Sequence, residues 1–209
     1  MSSALRTLSV PLADAILTGT ARSSLREQLQ SLLDEIARLA VEPRDGFVVQ
    51  FGWSPVILRA RPDGYALVAR DYAADPNTDT DDLSLVLWLA QALIAVPERA
   101  GLQPQQVRDS DAVIAVPGVL QAGRVTMTRG TAGDEGDSGW LLEADPLPAD
   151  RGYLPTQLVR LQTWQLLRGH VHAARALALP EGSRAVIGPD GIREVQRLAD
   201  ETVLTTGPF

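Results

Sequence analysis

Residues 45–72, DGFVVQFGWSPVILRARPDGYALVARDY, decide the fold class of this chain. They contain runs of β-branched and aromatic residues, separated by a G-W-S-P break and by an R-P-D-G break, as strands joined by turns do. Pro62, Asp63 and Gly64 suit a tight reversal, because proline presets φ and glycine accepts positive φ. The stretch therefore predicts a small antiparallel hairpin or meander.

An amphipathic helix is predicted just before these strands, over residues 24–40, SLREQLQSLLDEIARLA. Ser24 and Glu27 have capping-box spacing, and Pro43 follows the end of the pattern. The apolar stripe, with residues spaced alternately by four and three, consists of Leu25, Leu29, Leu32, Ile36 and Leu39. It spans only about two heptads, which is short for a coiled coil. We expect the helix to pack onto its own domain.

The longest apolar run, LSLVLWLAQALIAV at 83–96, predicts a buried helix that ends near Pro97. A strand is the alternative, because LSLVLWL alternates strictly. The run is shorter than the ~20 residues that a membrane span needs. The N-terminal segment has no continuous apolar region, since Pro11, Asp14 and Thr18 interrupt it. We expect no secretion signal, no membrane association and a cytoplasmic location.

The second half of the chain predicts further strands. AVIAVP at 112–117 and GRVTMT at 123–128 have the pattern of two strands around a turn at Gly118, and GWLLEADPL at 139–147 that of another. SRAVIGPDGIREVQR at 183–197 predicts a closing hairpin with its turn at Pro-Asp-Gly.

A helix is predicted between these strands, over residues 156–179. Pro155 suits its first position, Gly169 is a point where it could break, and Pro180 ends the region. The loop DPLPADRGYLP at 145–155 precedes it.

These patterns together predict an α+β protein. Antiparallel strands and hairpins would pack with an N-terminal amphipathic helix, a central apolar helix and a C-terminal helix. We divide the chain into an unassigned α+β part at 1–110 and a second α+β part at 111–209, with one continuous domain as the alternative.

Composition limits the function. The net charge is −7, which argues against nucleic-acid binding, because phosphate contacts need a cationic surface. A basic protein or a cation is the more natural partner. The chain contains no cysteine, which excludes disulfides, thiolate nucleophiles and zinc–thiolate sites.

The segment AADPNTDTDD at 73–82 resembles the start of a calcium loop, but the rest of that motif is missing. Its sixth position would need glycine and is Thr80, and its twelfth would need glutamate and is Val86. Two simpler roles fit. The segment keeps a loop solvated, or it places Thr80, Asp81 or Asp82 at a helix N-terminus.

The usual signatures of catalysis and cofactor binding are absent from the sequence. His170 and His172 are spaced badly for a metal pair on a strand or on a helix. Ser138 lies in D-S-G-W rather than in a G-x-S-x-G elbow. No P-loop and no G-x-G-x-x-G after a strand occurs. We expect no enzyme activity, no metal and no cofactor.

Residues 129–140, RGTAGDEGDSGW, combine three carboxylates with four glycines and end in a tryptophan. A solvated turn explains much of this, because Asp137 can accept backbone hydrogen bonds and Trp140 can bury its ring where a strand begins. It does not explain the additional acid at Asp134 and Glu135. The alternative is a surface that binds a partner.

The order of features from Arg124 to Val195 resembles a known family. The features are Met127-Thr128-Arg129, the acidic Gly133-Asp134-Glu135, the tetrapeptide Asp137-Ser138-Gly139-Trp140, the helix from Pro155, and Leu179-Pro180-Glu181-Gly182. They are similar to immunity protein family thirty-three, a family of bacterial polymorphic-toxin immunity proteins that was formerly a domain of unknown function. The first 110 residues carry no part of this resemblance.

The resemblance implies a cytoplasmic protein that binds and neutralises a cognate toxin through a protein–protein interface. Negative charge opposite a basic toxin would speed their encounter. The acidic residues expected to face the partner are Asp75, Asp79, Asp81, Asp82, Asp134, Glu135 and Asp137. The alternative is an adaptor or chaperone for a secreted effector, which would hold its partner on an exposed apolar stripe of helix 24–40.

Overall fold

The computed structural model describes residues 4–39, 42–147 and 152–209. The chain forms two compact units, Met1–Gln91 and Ala92–Phe209. Helices and sheets occur together, which confirms the predicted α+β class. The units divide about twenty residues before the predicted boundary at 110.

The first unit contains a six-stranded sheet in the order β1-β2-β5-β4-β3, with β6 paired to β5. Its elements are β1 (Leu5–Leu12), β2 (Ala15–Arg22), α1 (Arg26–Arg38), β3 (Val48–Phe51), β4 (Ser54–Arg61), β5 (Gly64–Arg70), β6 (Asp79–Thr80) and the first part of α2 (Ser84–Arg99). The antiparallel meander predicted over 45–72 is confirmed as β3, β4 and β5, with Pro62 and Asp63 in the turn between the last two.

The first hairpin is not predicted by the sequence patterns. β1 and β2 pair antiparallel over their full lengths around a two-residue turn of Ala13 and Asp14. Ala13 has a positive φ of 52°, which alanine seldom adopts, so the turn lacks the Gly or Asn that normally marks a tight hairpin.

Helix α1 is confirmed with a different start. A 3₁₀ turn at Ser23–Leu25 precedes it and Leu25 is the N-cap without a side-chain hydrogen bond, so the predicted capping box of Ser24 and Glu27 is wrong. The helix contacts β1 and β2. Its stripe is buried, with exposed fractions of 8, 1, 2 and 4% at Leu25, Leu29, Leu32 and Ile36, whereas Leu39 is 47% exposed. Ala40, the predicted last residue, lies outside the described residues.

Helix α2 confirms the helical interpretation of the apolar run and excludes the strand. It extends to Arg99 and includes Pro97, two residues beyond the predicted end.

The second unit contains a seven-stranded sheet in the order β10-β7-β9-β8-β11-β12-β13. Its elements are β7 (Ala112–Ala115), β8 (Val125–Arg129), β9 (Asp137–Ala144), β10 (Val159–Gln162), α3 (Leu166–Gly169), α4 (Val171–Ala176), β11 (Ser183–Gly188), β12 (Gly191–Arg197) and β13 (Val203–Thr206). The three strands predicted from 112 to 147 and the closing hairpin are confirmed; β13 was not predicted.

The expectation of purely antiparallel sheets is wrong, because each sheet contains one parallel pair. β2 pairs parallel to β5 in the first unit, and β7 pairs parallel to β9 in the second. β9 therefore lies between β7 and β8, which do not pair with each other around Gly118.

The long C-terminal helix predicted over 156–179 is wrong. Residues 159–162 form β10, which pairs with β7 and so satisfies the backbone groups along that side of β7. Helical structure is limited to short segments: 3₁₀ turns at Pro155–Gln157 and Thr163–Gln165, then α3 and α4. The break between α3 and α4 lies at His170, directly after Gly169. Part of the predicted loop at 145–155 lies outside the described residues.

Candidate functional site

In the acidic segment of the first unit, residues 73–82, two of the four carboxylates are neutralised by the chain itself. Asp79 pairs with Arg59 at 2.5 Å, and Asp81 pairs with Arg61 at 2.9 Å. These arginines lie on β4, which pairs with β5 on the side opposite to β6. Exposed ion pairs contribute little to stability, but each one offsets a charge that a partner would otherwise meet. The segment therefore offers a weaker anionic surface than its sequence indicates.

The two remaining aspartates of this segment bind the backbone. The carboxylate of Asp75 accepts a hydrogen bond from the N–H of Asn77 at 2.9 Å, which closes a local turn. Asp82 accepts a hydrogen bond at 2.9 Å from the N–H of Ser84, the first residue of α2. Asp82 thus has the helix-terminal role that was one of the two simpler roles considered for this segment.

The acidic segment of the second unit has a different character. We define the acidic loop as residues 130–136, between β8 and β9. Asp134 and Glu135 are exposed, and neither side chain forms a hydrogen bond or an ion pair within the described part of the chain. The acidic loop therefore presents two carboxylates that no described cation neutralises.

Asp137, at the end of the acidic loop, holds its backbone in place. One carboxylate oxygen accepts a hydrogen bond from the N–H of Gly133 at 3.0 Å, and the other accepts one from the N–H of Gly139 at 2.9 Å. Its own N–H donates to the carbonyl of Asp134 at 3.0 Å. Asp137 thus has a structural role in the loop, whereas Asp134 and Glu135 point to solvent.

The rest of the D-S-G-W tetrapeptide is built into the sheet. Ser138 is 2% exposed, and its hydroxyl donates to the carbonyl of Ala112 at 2.5 Å. Gly139 has a φ of 74°, and a Cβ there would lie 2.4 Å from the carbonyl oxygen of Gly130. Only glycine fits this close approach of two backbones. Trp140 is 1% exposed and donates from Nε1 to the carbonyl of Leu177 at 2.9 Å.

The structure shows a buried arginine whose role the sequence does not reveal. Arg129 is 3% exposed, and its guanidinium lies 5.7 Å from the ring of Trp140. It donates to the carbonyls of Ser138, Leu177 and Leu179, at 3.0, 3.0 and 2.6 Å. Burial lowers the pKa of Arg129 below its ordinary value, and the negative charges of Asp111 and Glu181 oppose this change. The arginine therefore links the start of β9, which follows the acidic loop, to the segment after α4.

The strand register brings four loops to one end of the seven-stranded sheet: residues 108–111, 130–136, 180–182 and 198–202. Asp134, Glu135, Glu181 and Glu201 are exposed in these loops. Glu181 accepts a hydrogen bond from Thr131, and Arg197 pairs with Asp200 at 3.2 Å. This end of the second unit is consequently rich in carboxylates.

The two histidines have separate structural partners. His170 Nε2 lies 3.0 Å from the carbonyl oxygen of Val119, and His172 Nδ1 lies 3.1 Å from the guanidinium of Arg175. Among residues 4–39, 42–147 and 152–209, no group of three or more histidine or acidic side chains is placed to hold a metal ion.

We expect His172 to titrate below the ordinary histidine pKa of about 6.5. Burial is the largest cause of this lowered pKa, followed by the charge of Arg175, while Asp190 acts in the opposite direction. The unfolded chain therefore binds a proton at a higher pH than the folded chain does. Stability should fall as the pH drops through about 6.5 toward the lower pKa of the folded state.

An NMR titration of the His172 ring measures this pKa directly. Urea midpoints at about pH 5 and about pH 7.5 test the sign, and His172→Gln should remove this contribution to the difference. A ring pKa at or above the ordinary value would contradict the expectation.

In the part of the chain that the structure describes, no helix is long and apolar enough to cross a membrane. No protein-family model matches the sequence, and neither a curated protein nor a solved structure shows significant similarity to it.

Proposed function

We propose that this protein is an immunity protein that binds and neutralises a cognate bacterial toxin through the acidic loop and the adjoining end of the seven-stranded sheet. The observation that carries this proposal is the pair of exposed carboxylates at Asp134 and Glu135. They lack a neutralising partner within the described residues and lie on a loop that backbone hydrogen bonds hold in place.

An ordered anionic loop suits the task of an inhibitor. Binding loses less conformational entropy when the loop is already held by Asp137 and Gly139. Carboxylates opposite a basic surface raise the rate of encounter. The net charge of −7 also raises the rate of encounter with a basic partner, by attraction over longer distances. The matching partner surface is basic, as the nucleic-acid-binding face of a nuclease toxin would be.

The acidic loop replaces the segment at 75–82 as the main candidate surface. Asp79 and Asp81 are each paired with an arginine, and Asp82 is bound to the start of α2. We assign these residues to contacts within the first unit.

The adaptor alternative needed an apolar stripe exposed on helix 24–40. Its central residues, Leu29, Leu32 and Ile36, are at most 4% exposed. An adaptor would have to hold its partner elsewhere, and no observation favours such a surface.

The proposal is tested by charge reversal in the acidic loop. The double variant Asp134→Lys/Glu135→Lys is expected to slow association with the toxin by about tenfold and to weaken its salt dependence, because it removes the steering charge. Stopped-flow association at several ionic strengths measures both quantities. Candidate toxins are the products of the genes next to this one, and the cognate toxin is the one whose inhibition of growth this protein relieves on co-expression.

The control is Glu27→Lys/Glu35→Lys, which makes the same change in net charge on the exposed face of α1. It should leave association nearly unchanged. Equal slowing by both variants would show that only net charge matters and would remove the acidic loop from the interface. Failure of the wild-type protein to protect cells from any of these candidate toxins would refute the function itself.

A further inference from the structure

The first unit contains a cleft of about 550 Å³ at the carboxyl ends of β2 and β5. This volume lies within the range of about 300–1,000 Å³ that is typical of small-molecule sites. The cleft involves residues that the proposed toxin-binding surface does not use.

The strand pairing explains why the cleft forms here. β2 and β5 pair in parallel only over Ile16–Thr18 and Gly64–Ala66. Beyond that point the segment 79–82 lies between them, because Thr80 pairs with Ala69 and Asp82 bridges to Thr20. The two strand ends therefore diverge. The carboxyl ends of parallel strands are a preferred place for ligands, because the loops that follow the strands leave a crevice there.

An arginine stands at each of these strand ends. Arg22 is the last residue of β2, Arg70 is the last residue of β5, and both are exposed and line the cleft. The side chain of Arg22 forms no hydrogen bond or ion pair within the described residues. A planar guanidinium with several N–H donors matches the oxygens of a phosphate or a carboxylate.

The two carboxylates in the cleft wall are already engaged. Asp71 accepts hydrogen bonds from the backbone N–H groups of Ala73 and Ala74, at 3.1 and 3.0 Å. Asp82 accepts from the N–H of Ser84 and thereby caps α2. An anion would therefore be bound by Arg22 and not by the start of this helix.

The remaining wall is apolar. Leu85 and Trp88 are half-buried and line the cleft from the first turns of α2. They are three residues apart, so they lie on one face of the helix. A ligand that fills the cleft would place an aromatic or aliphatic part against them.

We propose that this cleft binds a small anionic molecule, with its phosphate or carboxylate group held by Arg22 and its apolar part packed on Leu85 and Trp88. The site is independent of the acidic loop, which belongs to the second unit. It is also independent of the proposed toxin-binding function.

The experiment uses the full chain labelled with ¹⁵N and follows the indole N–H signal of Trp88, assigned with Trp88→Phe. The probes are phenyl phosphate, phenylacetate and benzylamine, which share a ring and differ in the charged group. We expect saturable shifts with at least one anionic probe. The stronger anionic probe identifies whether phosphate or carboxylate is preferred.

Arg22→Gln is expected to weaken binding of that probe by about tenfold, since it removes a charge-assisted hydrogen bond. Arg22→Lys should recover part of the affinity because it keeps the charge. The matched control is Arg6→Gln, an equal loss of charge at an exposed position of β1 outside the cleft. It should leave the affinity unchanged.

Three results would overturn the proposal. The first is the lack of a saturable shift with either anionic probe, and the second is tighter binding of benzylamine. The third is equal weakening by Arg22→Gln and Arg6→Gln, which would indicate nonspecific attraction. The amide spectrum of each variant shows whether it remains folded, and a misfolded Arg22→Gln would leave Arg22→Lys to decide.

Discussion

Replacing Trp140 by alanine is expected to lower the free energy of unfolding of the second unit by about 3–5 kcal/mol. Trp140 lies on β9 and is 1% exposed, so truncation leaves a large cavity. It also removes the hydrogen bond from Nε1 to the carbonyl of Leu177 and the contact with the guanidinium of Arg129. The charged guanidinium of Arg129 would then stay buried without the aromatic ring beside it.

Urea unfolding followed by circular dichroism measures the loss, and hydrogen exchange of amides in β8 and β9 assigns it to the second unit. The assignment is needed because two compact units can unfold separately. Trp164→Ala is the control, since this half-buried tryptophan donates its Nε1–H to the nearby Gln162. A cost for Trp140→Ala no larger than that for Trp164→Ala would contradict the structural role.

Trp140→Phe separates packing from hydrogen bonding at the same position. The phenyl ring fills most of the site but leaves the carbonyl of Leu177 without the indole donor, so we expect a smaller loss of about 1–3 kcal/mol. Arg129 still donates to this carbonyl, at 3.0 Å, which places the expected loss toward the lower end of that range.

Sequence patterns predicted those parts of the fold that depend on neighbouring residues. The meander at 45–72 and the closing hairpin have Pro-Asp-Gly turns, and α1 has a clear apolar stripe. The first hairpin has an Ala-Asp turn instead, and β1 and β2 carry no signal as strong. Hairpins were therefore predicted only where the turn residues themselves indicated a turn.

The wrong C-terminal helix shows a second limit. Residues 159–162 fit a helical pattern when only their neighbours are considered. In the structure they pair with β7, about 45 residues earlier in the chain, where a helix would leave backbone groups of a strand unpaired. Tertiary pairing decided the conformation, and a single sequence does not display it.

The candidate site was predicted only in part, and the reason is the same. The turn-forming role of Asp137 and the burial of Trp140 follow from nearby residues. The pairing of Asp79 and Asp81 with arginines of β4 depends on a sheet that brings distant residues together. Their charges were visible in the sequence, but their neutralisation was not.

Gly64→Ala is expected to destabilise the first unit by about 3 kcal/mol or more, because backbone strain and a steric clash add. Gly64 begins β5 with a φ of 144°, which alanine adopts only with strain. A Cβ there would lie 2.2 Å from the carbonyl oxygen of Ile16, on the parallel neighbour β2. The strands would have to separate where they pair.

Gly46→Ala is the matched control within the same unit. Gly46 also has a positive φ, 75°, but a Cβ there meets only the flexible end of Arg59, at 3.9 Å. Its cost should be about 1–2 kcal/mol, which is the conformational term alone. Hydrogen exchange of the β2 and β5 amides measures the loss of stability in both variants. Because β2 and β5 also position Arg22 and Arg70 at the cleft, Gly64→Ala should weaken binding of the anionic probe, whereas Gly46→Ala should not. Equal costs for the two variants would mean that the close approach of β2 and β5 contributes nothing to the fold.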